Sequence, residues 1–310
     1  MRSEGSATAR AALAGNPSDG YGGGVLAVCV APLAATVVLE RAAGARALVV
    51  VPAGATGLVC AAAARHARAT GIASPAGVAA AVATTIPREV GLAGSSAIVI
   101  ATLRALDAWH ATALPRDELA LVALAAEADL GIAAGLQDRV AQAYGGLTAM
   151  TFPTPQTFTA RGLDPALLPP LFLAWDPRGA EGSGGYHAAL RARFDAGEPA
   201  IRAAMDELAA LAAAAADAVE RRDSGALGAA MDASHDLRAA LGPIAPRHAA
   251  LRDAVRDVGL ACNSAGSGGA VVGLATDLER VATLRVHLTA AGSRLLTLPP
   301  ADGGARGARA

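Results

Sequence analysis

The sequence predicts a soluble enzyme with an α/β or α+β fold in two lobes. Its 310 residues can form one large core or two ordinary ones, because domains usually contain about 100 to 200 residues. Strand-like segments near the N-terminus are followed by segments with helical spacing. Five prolines between Pro153 and Pro170 mark a change in composition at the most plausible lobe boundary. We therefore predict an N-terminal lobe over 1–165, a C-terminal lobe over 166–298 and a disordered tail over 299–310.

Hydrophobic patterning predicts the elements of the first lobe. Alternating β-branched residues and turn signals indicate a run of strands over about 25–51. Helical spacing follows in "LVCAAAARHARATG", "SSAIVIATLRALDAWHA" and "PRDELALVALAAEADLG", the last of which begins with a proline and carries acids in its first turn. A short helix in "AAGLQDRVAQAYGG" and the strand "LTAMTF" complete this lobe.

The second lobe is predicted to begin with the strand "LFLAW" and the glycine-rich loop "GAEGSGG". Alanine-rich helices follow at about 198–222, 227–241 and 246–258. A turn and strand in "CNSAGSGGAVVGLA" precede a final helix and strand. The glycines in 178–187 are compatible with a mobile loop, and whether this loop acts as a lid stays open.

The basic residues exclude several kinds of chemistry. All 26 of them are arginines. Without lysine the chain cannot use a Schiff-base lysine, a P-loop lysine or the strand lysine of the protein kinases. Any phosphate site must therefore use arginine, backbone amides, a helix dipole or a metal ion.

Composition also limits the partners and the compartment. A net charge of −1 predicts neither nucleic acid nor an anionic membrane as a partner. The longest uncharged stretch, 47–64, is interrupted by proline and glycine, which argues against a transmembrane helix. The first residues do not match a signal peptide, so we expect a cytoplasmic protein that acts on a small molecule. A homodimer is compatible with the sequence.

The stretch "REVGLAGSSAIVI", residues 88–100, allows two interpretations. Gly91 and Gly94 let the backbone approach a ligand, and a helix that begins at Ala97 would point its first amides toward the loop, as in an anion site. Alternatively, Ser95 or Ser96 is simply the N-cap of an ordinary helix. These residues alone favour neither interpretation.

Two further segments carry polar groups. Asn16 and Asp19 lie in the turn "NPSD", which could equally be a loop between two strands. Glu127 and Asp138 stand eleven residues apart across glycines, and both could be solvated acids. Asp138 is expected near a helix start beside Arg139, where the anion is stabilised and the carboxylate is a weak base in the ground state.

In order and spacing, three segments resemble the motifs of the GHMP kinase superfamily. "PREVGLAGSSA" resembles the family's phosphate loop with one residue inserted after Leu92, residues 10–19 resemble its first motif, and "NSAGSGG" at 263–269 resembles its third. "GNPSD", "GLQDRVAQAYGGL" and "SGGYHAALRARFDAGE" resemble the glucuronokinase-like branch. The resemblance implies an α+β fold with an N-terminal lobe like ribosomal protein S5 domain 2 and a ferredoxin-like C-terminal lobe.

The resemblance also implies roles for individual residues. Asp138 matches the catalytic aspartate, and Arg10 matches a basic residue that stabilises the transferring phosphoryl group. Ser96 and Glu127 match the Mg²⁺ ligands. The residues that match the ATP phosphate cradle are Gly91, Leu92, Ala93, Gly94, Ser95, Ser96, Ala97, Gly266, Gly268 and Gly269. ATP and Mg²⁺ are therefore the expected cofactors.

The resemblance implies a sugar substrate. The expected sugar is a uronic acid, and the expected phosphate acceptor is its anomeric hydroxyl. Asp19 matches the sugar-hydroxyl anchor, and Asn16, Tyr21 and Arg139 are further candidates for substrate contact. A uronate carboxylate favours a bidentate arginine, for which Arg88, Arg139 and Arg191 are candidates.

Two alternatives remain open. The chain could phosphorylate another sugar or a heptose phosphate, or it could be a catalytically silent GHMP-fold binding protein. The first motif lacks the acid and histidine of galactokinase-like members, which argues against a galactose-type hydroxyl network.

Overall fold

The computed structural model describes residues 1–42, 47–132, 135–179 and 184–298, with the side chains of 184–187 left out. The strands within these ranges are β1 Arg2–Ala14, β2 Gly24–Arg41, β3 Leu48–Val51, β4 Val78–Thr84, β5 Leu147–Thr154, β6 Thr157–Leu163, β7 Leu171–Trp175, β8 Cys262–Ser264, β9 Ala270–Leu274 and β10 Arg294–Leu298. The α-helices are α1 Thr56–Thr70, α2 Gly94–His110, α3 Arg116–Ala128, α4 Gln137–Tyr144, α5 Gly184–Asp195, α6 Pro199–Glu220, α7 Ser224–Leu241, α8 Pro246–Asp257 and α9 Leu278–Ala290.

The chain divides into two compact units that alternate along the sequence. Unit 1 contains Met1–Arg10, Cys29–Ile86 and Ala93–Gly145. Unit 2 contains the described residues of Ala11–Val28, Pro87–Leu92 and Gly146–Ala310. The chain therefore passes from unit 2 to unit 1 within the predicted phosphate loop, between Leu92 and Ala93. The lobes predicted at 1–165 and 166–298 remain a prediction, and the predicted tail 299–310 lies outside the described residues.

The larger sheet follows the order β3-β4-β2-β5-β6, with β1 paired to β2. In unit 1, β2 runs antiparallel to β4, from Ala35 opposite Thr84 to Arg41 opposite Val78, and β3 is parallel to β4. In unit 2, the first residues of β2 pair antiparallel with β5, which pairs antiparallel with β6. The length of β2 lets one strand serve both sets of pairings.

Small side chains set the packing of unit 1. Ten of the 17 residues of α2 are buried, and the helix packs against α1, α3 and α4. A Cβ atom added to Gly5 of β1 would lie 2.2 Å from the carbonyl oxygen of Ala101 in α2. Strand and helix can approach this closely only because the strand has glycine there.

Unit 2 contains an antiparallel sheet of order β10-β7-β9-β8. One face of this sheet packs against α8 and α9, where Phe172, Val255 and Leu284 belong to a buried hydrophobic cluster. The long helices α6 and α7 pack along each other, and α7 also contacts β8. This contact places α7 and α8 beside the glycine-rich segment between β8 and β9.

Most of the predicted helices are confirmed, including α1 with its left-handed Gly71 at the C-terminus and α2 beginning at Gly94. The strand β1 was missed, because its alternation uses serine, glycine and alanine at the buried positions instead of larger apolar residues. The strand β4 was missed as well. Among the described residues, no helix combines the length and the hydropathy that crossing a membrane requires.

Candidate active site

The phosphate-loop segment enters α2 through an unusual backbone conformation. Ala93 adopts the left-handed region at φ 60° and stands at the N-cap, without a side-chain hydrogen bond to the helix. The interpretation of Ser95 or Ser96 as the N-cap is therefore wrong, because the helix already begins at Gly94 and both serines lie in its first turn. The hydroxyl of Ser96 donates to the Ala93 carbonyl at 3.1 Å.

A second side chain, Gln142, holds the start of α2 in place. The Gln142 amide in α4 donates to the carbonyl of Ala93 at 2.9 Å and to that of Thr8 in β1 at 3.0 Å. One buried side chain therefore joins the start of α2 to the strand that carries Arg10. The sequence reasoning missed Gln142, since a glutamine in a helix carries no motif signal of its own.

Arg10 and Asp138, which were both candidate catalytic residues, are in direct contact. The Nε atom of Arg10, near the end of β1, donates to Oδ1 of Asp138 at 2.6 Å. Asp138 lies in the first turn of α4. Arg10 is buried, whereas the Asp138 side chain is 16% exposed and so reaches the surface of unit 1. A charge-assisted hydrogen bond of this length holds the carboxylate in a defined orientation.

Glu127 lies in a buried ion pair with Arg139. The Nε atom of Arg139 donates to Oε2 of Glu127 at 2.6 Å, and Nη2 contacts the same oxygen. The side chains are 1% and 0% exposed respectively. The remaining nitrogen, Nη1, donates to the Gly135 carbonyl at 2.6 Å and lies 3.9 Å from Oδ2 of Asp138. Arg139 is thus a buried link between the two acids, which differs from its predicted place at a substrate.

The other oxygen of Glu127 accepts a hydrogen bond from Ser95. The distance from Ser95 Oγ to Glu127 Oε1 is 2.7 Å. Ser96, which was predicted to share a metal ion with Glu127, is buried and directs its hydroxyl proton toward Ala93. Helix geometry explains the difference, since neighbouring helical residues point about 100° apart and only one of two adjacent serines can face α3.

These donors fit Mg²⁺ only as part of a nucleotide complex. Carboxylate and hydroxyl oxygens are the hard ligands that Mg²⁺ prefers, and it commonly takes one or two from the protein and the rest from phosphates and water. Within the described ranges, no group of three histidine, cysteine or acidic side chains could hold a metal by itself. Arg139 also neutralises the charge of Glu127. The negative charge that attracts a cation must therefore come from the bound ligand.

Unit 2 carries the other part of the phosphate loop. Gly91 has φ 77°, and a Cβ atom added to it would lie 2.7 Å from the Gly268 carbonyl oxygen. The backbones of the phosphate loop and of the third motif therefore lie against each other at this point. Gly268 and Gly269 also have positive φ, at 138° and 86°, so the turn 266–269 depends on glycine.

The candidate sugar loop also lies in unit 2. Asn16 and Asp19 are buried, and a short 3₁₀ helix at Ser18–Tyr21 follows the turn. The Tyr21 ring packs on Phe194 of α5, with ring centroids 4.8 Å apart. The loop is therefore held in place by its packing against α5, as a specific binding surface requires.

Arg191 lies over this loop. Its Nη1 atom donates to the Gly20 carbonyl at 3.1 Å, and its guanidinium lies 5.7 Å from the centre of the Tyr21 ring. It also pairs with Asp195 one turn later in α5. Arg88 is exposed and Arg139 is buried, so Arg191 is the candidate arginine that the structure places against the sugar loop.

Two family models match parts of the chain. The model for the GHMP kinases N terminal domain matches residues 57–146, and the model for GHMP kinases C terminal matches residues 215–294. Together they cover more than half of the chain, in the expected order. The chain belongs to the GHMP kinase family. The family resemblance drawn from the motifs is confirmed, and the C-terminal match includes the turn 266–269.

One relative of known name is similar in sequence to about half of the chain. Glucuronokinase 1 of Arabidopsis thaliana is 36% identical over 160 residues, which is 49% of this chain and 44% of that protein. The chain thus matches less than half the length of this relative.

Solved structures of the family show the fold. The mevalonate kinase of Methanococcus jannaschii has a TM-score of 0.76 at 17% identity, covering 97% of this chain and 98% of that one. The galactokinase of Lactococcus lactis, solved with galactose, has a TM-score of 0.80 at 16% identity, covering 98% and 94%. The predicted α+β GHMP kinase fold is confirmed.

Proposed function

We propose that this chain is an ATP- and Mg²⁺-dependent sugar kinase that phosphorylates the anomeric hydroxyl of a uronic acid. The observation that carries the proposal is the arrangement in unit 1, where Arg10, Asp138, Arg139, Glu127 and Ser95 form a continuous chain of contacts. Such a chain joins a base, two cations and a metal-binding carboxylate, which are the groups that phosphoryl transfer needs.

Asp138 is the group that receives the attacking hydroxyl. Its Oδ1 is fixed by Arg10, and its partial exposure lets a sugar hydroxyl approach the carboxylate. The carboxylate orients the hydroxyl and takes its proton as the new O–P bond forms, while the bond between the γ-phosphorus of ATP and its bridging oxygen breaks and ADP leaves. Arg10 then has two functions, since it positions Asp138 and places a positive charge near the phosphoryl group.

The phosphate end of the reaction uses backbone and metal. The amides at the start of α2 and the glycines of the loop suit phosphate oxygens. Glu127 and the hydroxyl of Ser95 would hold Mg²⁺, which supplies charge neutralisation for the phosphates when it is bound. A chain without lysine can stabilise the phosphates in this way.

The uronic acid is supported by two independent observations. The relative with 36% identity is named a glucuronokinase. In addition, Arg191 lies over the sugar loop through Gly20 and Tyr21, where its guanidinium could meet a carboxylate. The pairing with Asp195 would have to exchange for the ligand, so this recognition is expected to be of moderate strength.

The proposal is tested by measuring ATP consumption with a panel of uronic acids, neutral sugars and a heptose phosphate. We expect a uronic acid to give the highest kcat/KM and the product to carry phosphate at C1. Asp138→Asn should lower kcat about 10²- to 10⁴-fold, because it removes the proton acceptor. The matched control is Asp129→Asn, which changes an exposed acid paired with Arg65 and should retain activity.

Several outcomes would contradict the proposal. Preference for a neutral sugar or a heptose phosphate would remove the uronic acid but keep the kinase. Binding of ATP without turnover on any member of the panel would favour a silent binding protein. Full activity in Asp138→Asn would show that Asp138 does not handle the hydroxyl proton.

A further inference from the structure

Four buried polar side chains lie together behind the glycine turn of unit 2. His235 and Arg238 come from α7, His248 comes from α8, and Ser264 ends β8. All four are buried, with exposures between 0% and 5%. Ser264 lies in the third motif, but none of the four was a candidate site residue, and the reaction proposed above does not use them. A polar cluster in a core carries a large desolvation cost unless its hydrogen bonds are satisfied, so its contacts need an explanation.

The hydrogen bonds of this cluster can be assigned a direction from one fixed donor. The Gly269 amide can only donate, and it points at Nδ1 of His248 at 3.3 Å. His248 must therefore carry its proton on Nε2, which donates to Ser264 Oγ at 3.2 Å. Arg238 Nη1 also donates to Ser264 Oγ, at 3.1 Å.

The remaining contact follows from this assignment. With two donors on its lone pairs, Ser264 uses its own proton to donate to Nδ1 of His235 at 3.0 Å. The whole pattern requires that both histidines are neutral. Burial lowers the pKa of His235 to about 4 and that of His248 to about 3, and nearby arginines act in the same direction. The ring charges therefore agree with the hydrogen-bond pattern.

The cluster holds the glycine turn at three points. Arg238 binds Ser264 at the start of the segment through Nη1 and the Ser267 carbonyl through Nη2 at 3.1 Å. His248 holds the amide of Gly269 at the end. The residue between these anchors, Gly268, is the one whose backbone contacts Gly91. A shift of the turn would therefore change the contact between the two phosphate-loop segments.

We propose that Arg238 is a positioning residue that holds the turn 266–269 and, through Gly268, the backbone of Gly91 in the conformation that receives the phosphates of ATP. This role rests on the kinase function proposed above. Arg238 is buried behind the turn and acts through the backbone atoms that it binds. His248 and Ser264 complete the support, since they fix the far end of the turn and the guanidinium itself.

The kinetic test compares Arg238→Met with Arg238→Lys and with a control. Arg238→Met should raise KM for ATP about tenfold while KM for the sugar changes less than about twofold. Arg238→Lys keeps a cation that can reach one of the two anchors and should recover part of the loss. The control is Arg256→Met, which removes a half-exposed arginine that binds the Asp232 carbonyl in the same unit. It should leave KM for ATP unchanged.

A second measurement does not depend on activity. Hydrogen–deuterium exchange of the amides in 264–269 should speed up in Arg238→Met and in the smaller change Ser264→Ala, and should stay slow in Arg256→Met. Ser264→Ala also covers the case in which Arg238→Met fails to fold, because it removes only a hydroxyl. Binding of ATP to each folded variant is measured by calorimetry.

The outcomes separate this inference from the kinase proposal. If the unaltered chain does not bind ATP, the kinase proposal fails, and the exchange experiment still decides whether the cluster holds the turn. If the unaltered chain binds ATP and both variants bind it equally well with unchanged exchange, the positioning role is wrong. Equal increases in KM for ATP and sugar would also overturn it, since they would indicate a general loss of structure.

Discussion

The two units solve the problem of burying polar side chains in different ways. In unit 1, Arg139 and Glu127 are both ionised and compensate each other through direct contacts. In unit 2, the two histidines of the cluster are neutral, and hydrogen bonds hold His248 at both ring nitrogens and His235 at Nδ1. The first arrangement depends on a charge balance and the second on the direction of each proton.

This difference determines what disrupts each cluster. A buried ion pair is damaged when one partner loses its charge, because the other is left uncompensated in a medium of low dielectric constant. A neutral histidine network is damaged when a proton is added, because an acceptor becomes a donor. Substitution should therefore be the sharper test in unit 1, and pH the sharper test in unit 2.

The largest expected effect is the loss of the Glu127 charge. Glu127→Gln should lower the free energy of unfolding by about 3 to 5 kcal/mol, the range measured when one partner of a buried ion pair is removed. Urea denaturation at pH 7 measures this. Asp129→Asn, which breaks an exposed pair with Arg65, should cost no more than about 1 kcal/mol. Equal effects in the two variants would show that burial does not distinguish the two ion pairs.

The next effect is a loss of stability in acid from the unit 2 histidines. In the unfolded chain each takes up a proton near pH 6.5, whereas in the folded chain their pKa values are lowered to about 4 and 3. The unfolded state thus binds more protons below about pH 6.5, and stability falls as the pH decreases. Between pH 6.5 and 5 the loss should be about 1.6 kcal/mol for each histidine.

Stability measured from pH 7 to 5 in His248→Gln tests this prediction. The stability of the variant should fall less steeply between pH 7 and 5, because one of the two buried histidines is missing. Its stability at pH 7 should be lower than that of the unaltered chain. His287→Gln is the matched control, since His287 is exposed near the end of α9. NMR titration of the imidazoles provides a direct check, and a His248 resonance that titrates near pH 6.5 would contradict the neutral network.

The smallest expected effect concerns an exposed arginine, Arg191. Arg191→Gln should raise KM for a uronic acid about tenfold, or about 1.4 kcal/mol, with no change for the corresponding neutral sugar. Arg193→Gln, in the same helix and paired with Glu198, serves as the control. Arg191 would have no role in recognition if the ratio of the two KM values stayed the same.

Some of the molecule could be predicted from local pattern alone. The glycines and serines that precede an apolar run predicted a helix that starts at Ser95 to Ala97, and α2 begins slightly earlier, at Gly94. The order and spacing of three short motifs were enough to identify the family. Local pattern failed for β1, where alternation is carried by small residues that resemble a loop, and for the cap at Ala93, whose left-handed backbone is unusual for alanine.

The composition and the motifs determined by themselves that phosphate binding must proceed without lysine, and they nominated Arg10, Glu127 and Asp138. Only the tertiary structure decided which of these residues touch, that Ser95 is the serine facing Glu127, and that Arg139 is buried beside it. Only the tertiary structure brought Arg238, His235, His248 and Ser264 together. The physical reason is that the charge and the proton position of a buried group depend on partners from distant parts of the chain, which local sequence does not specify.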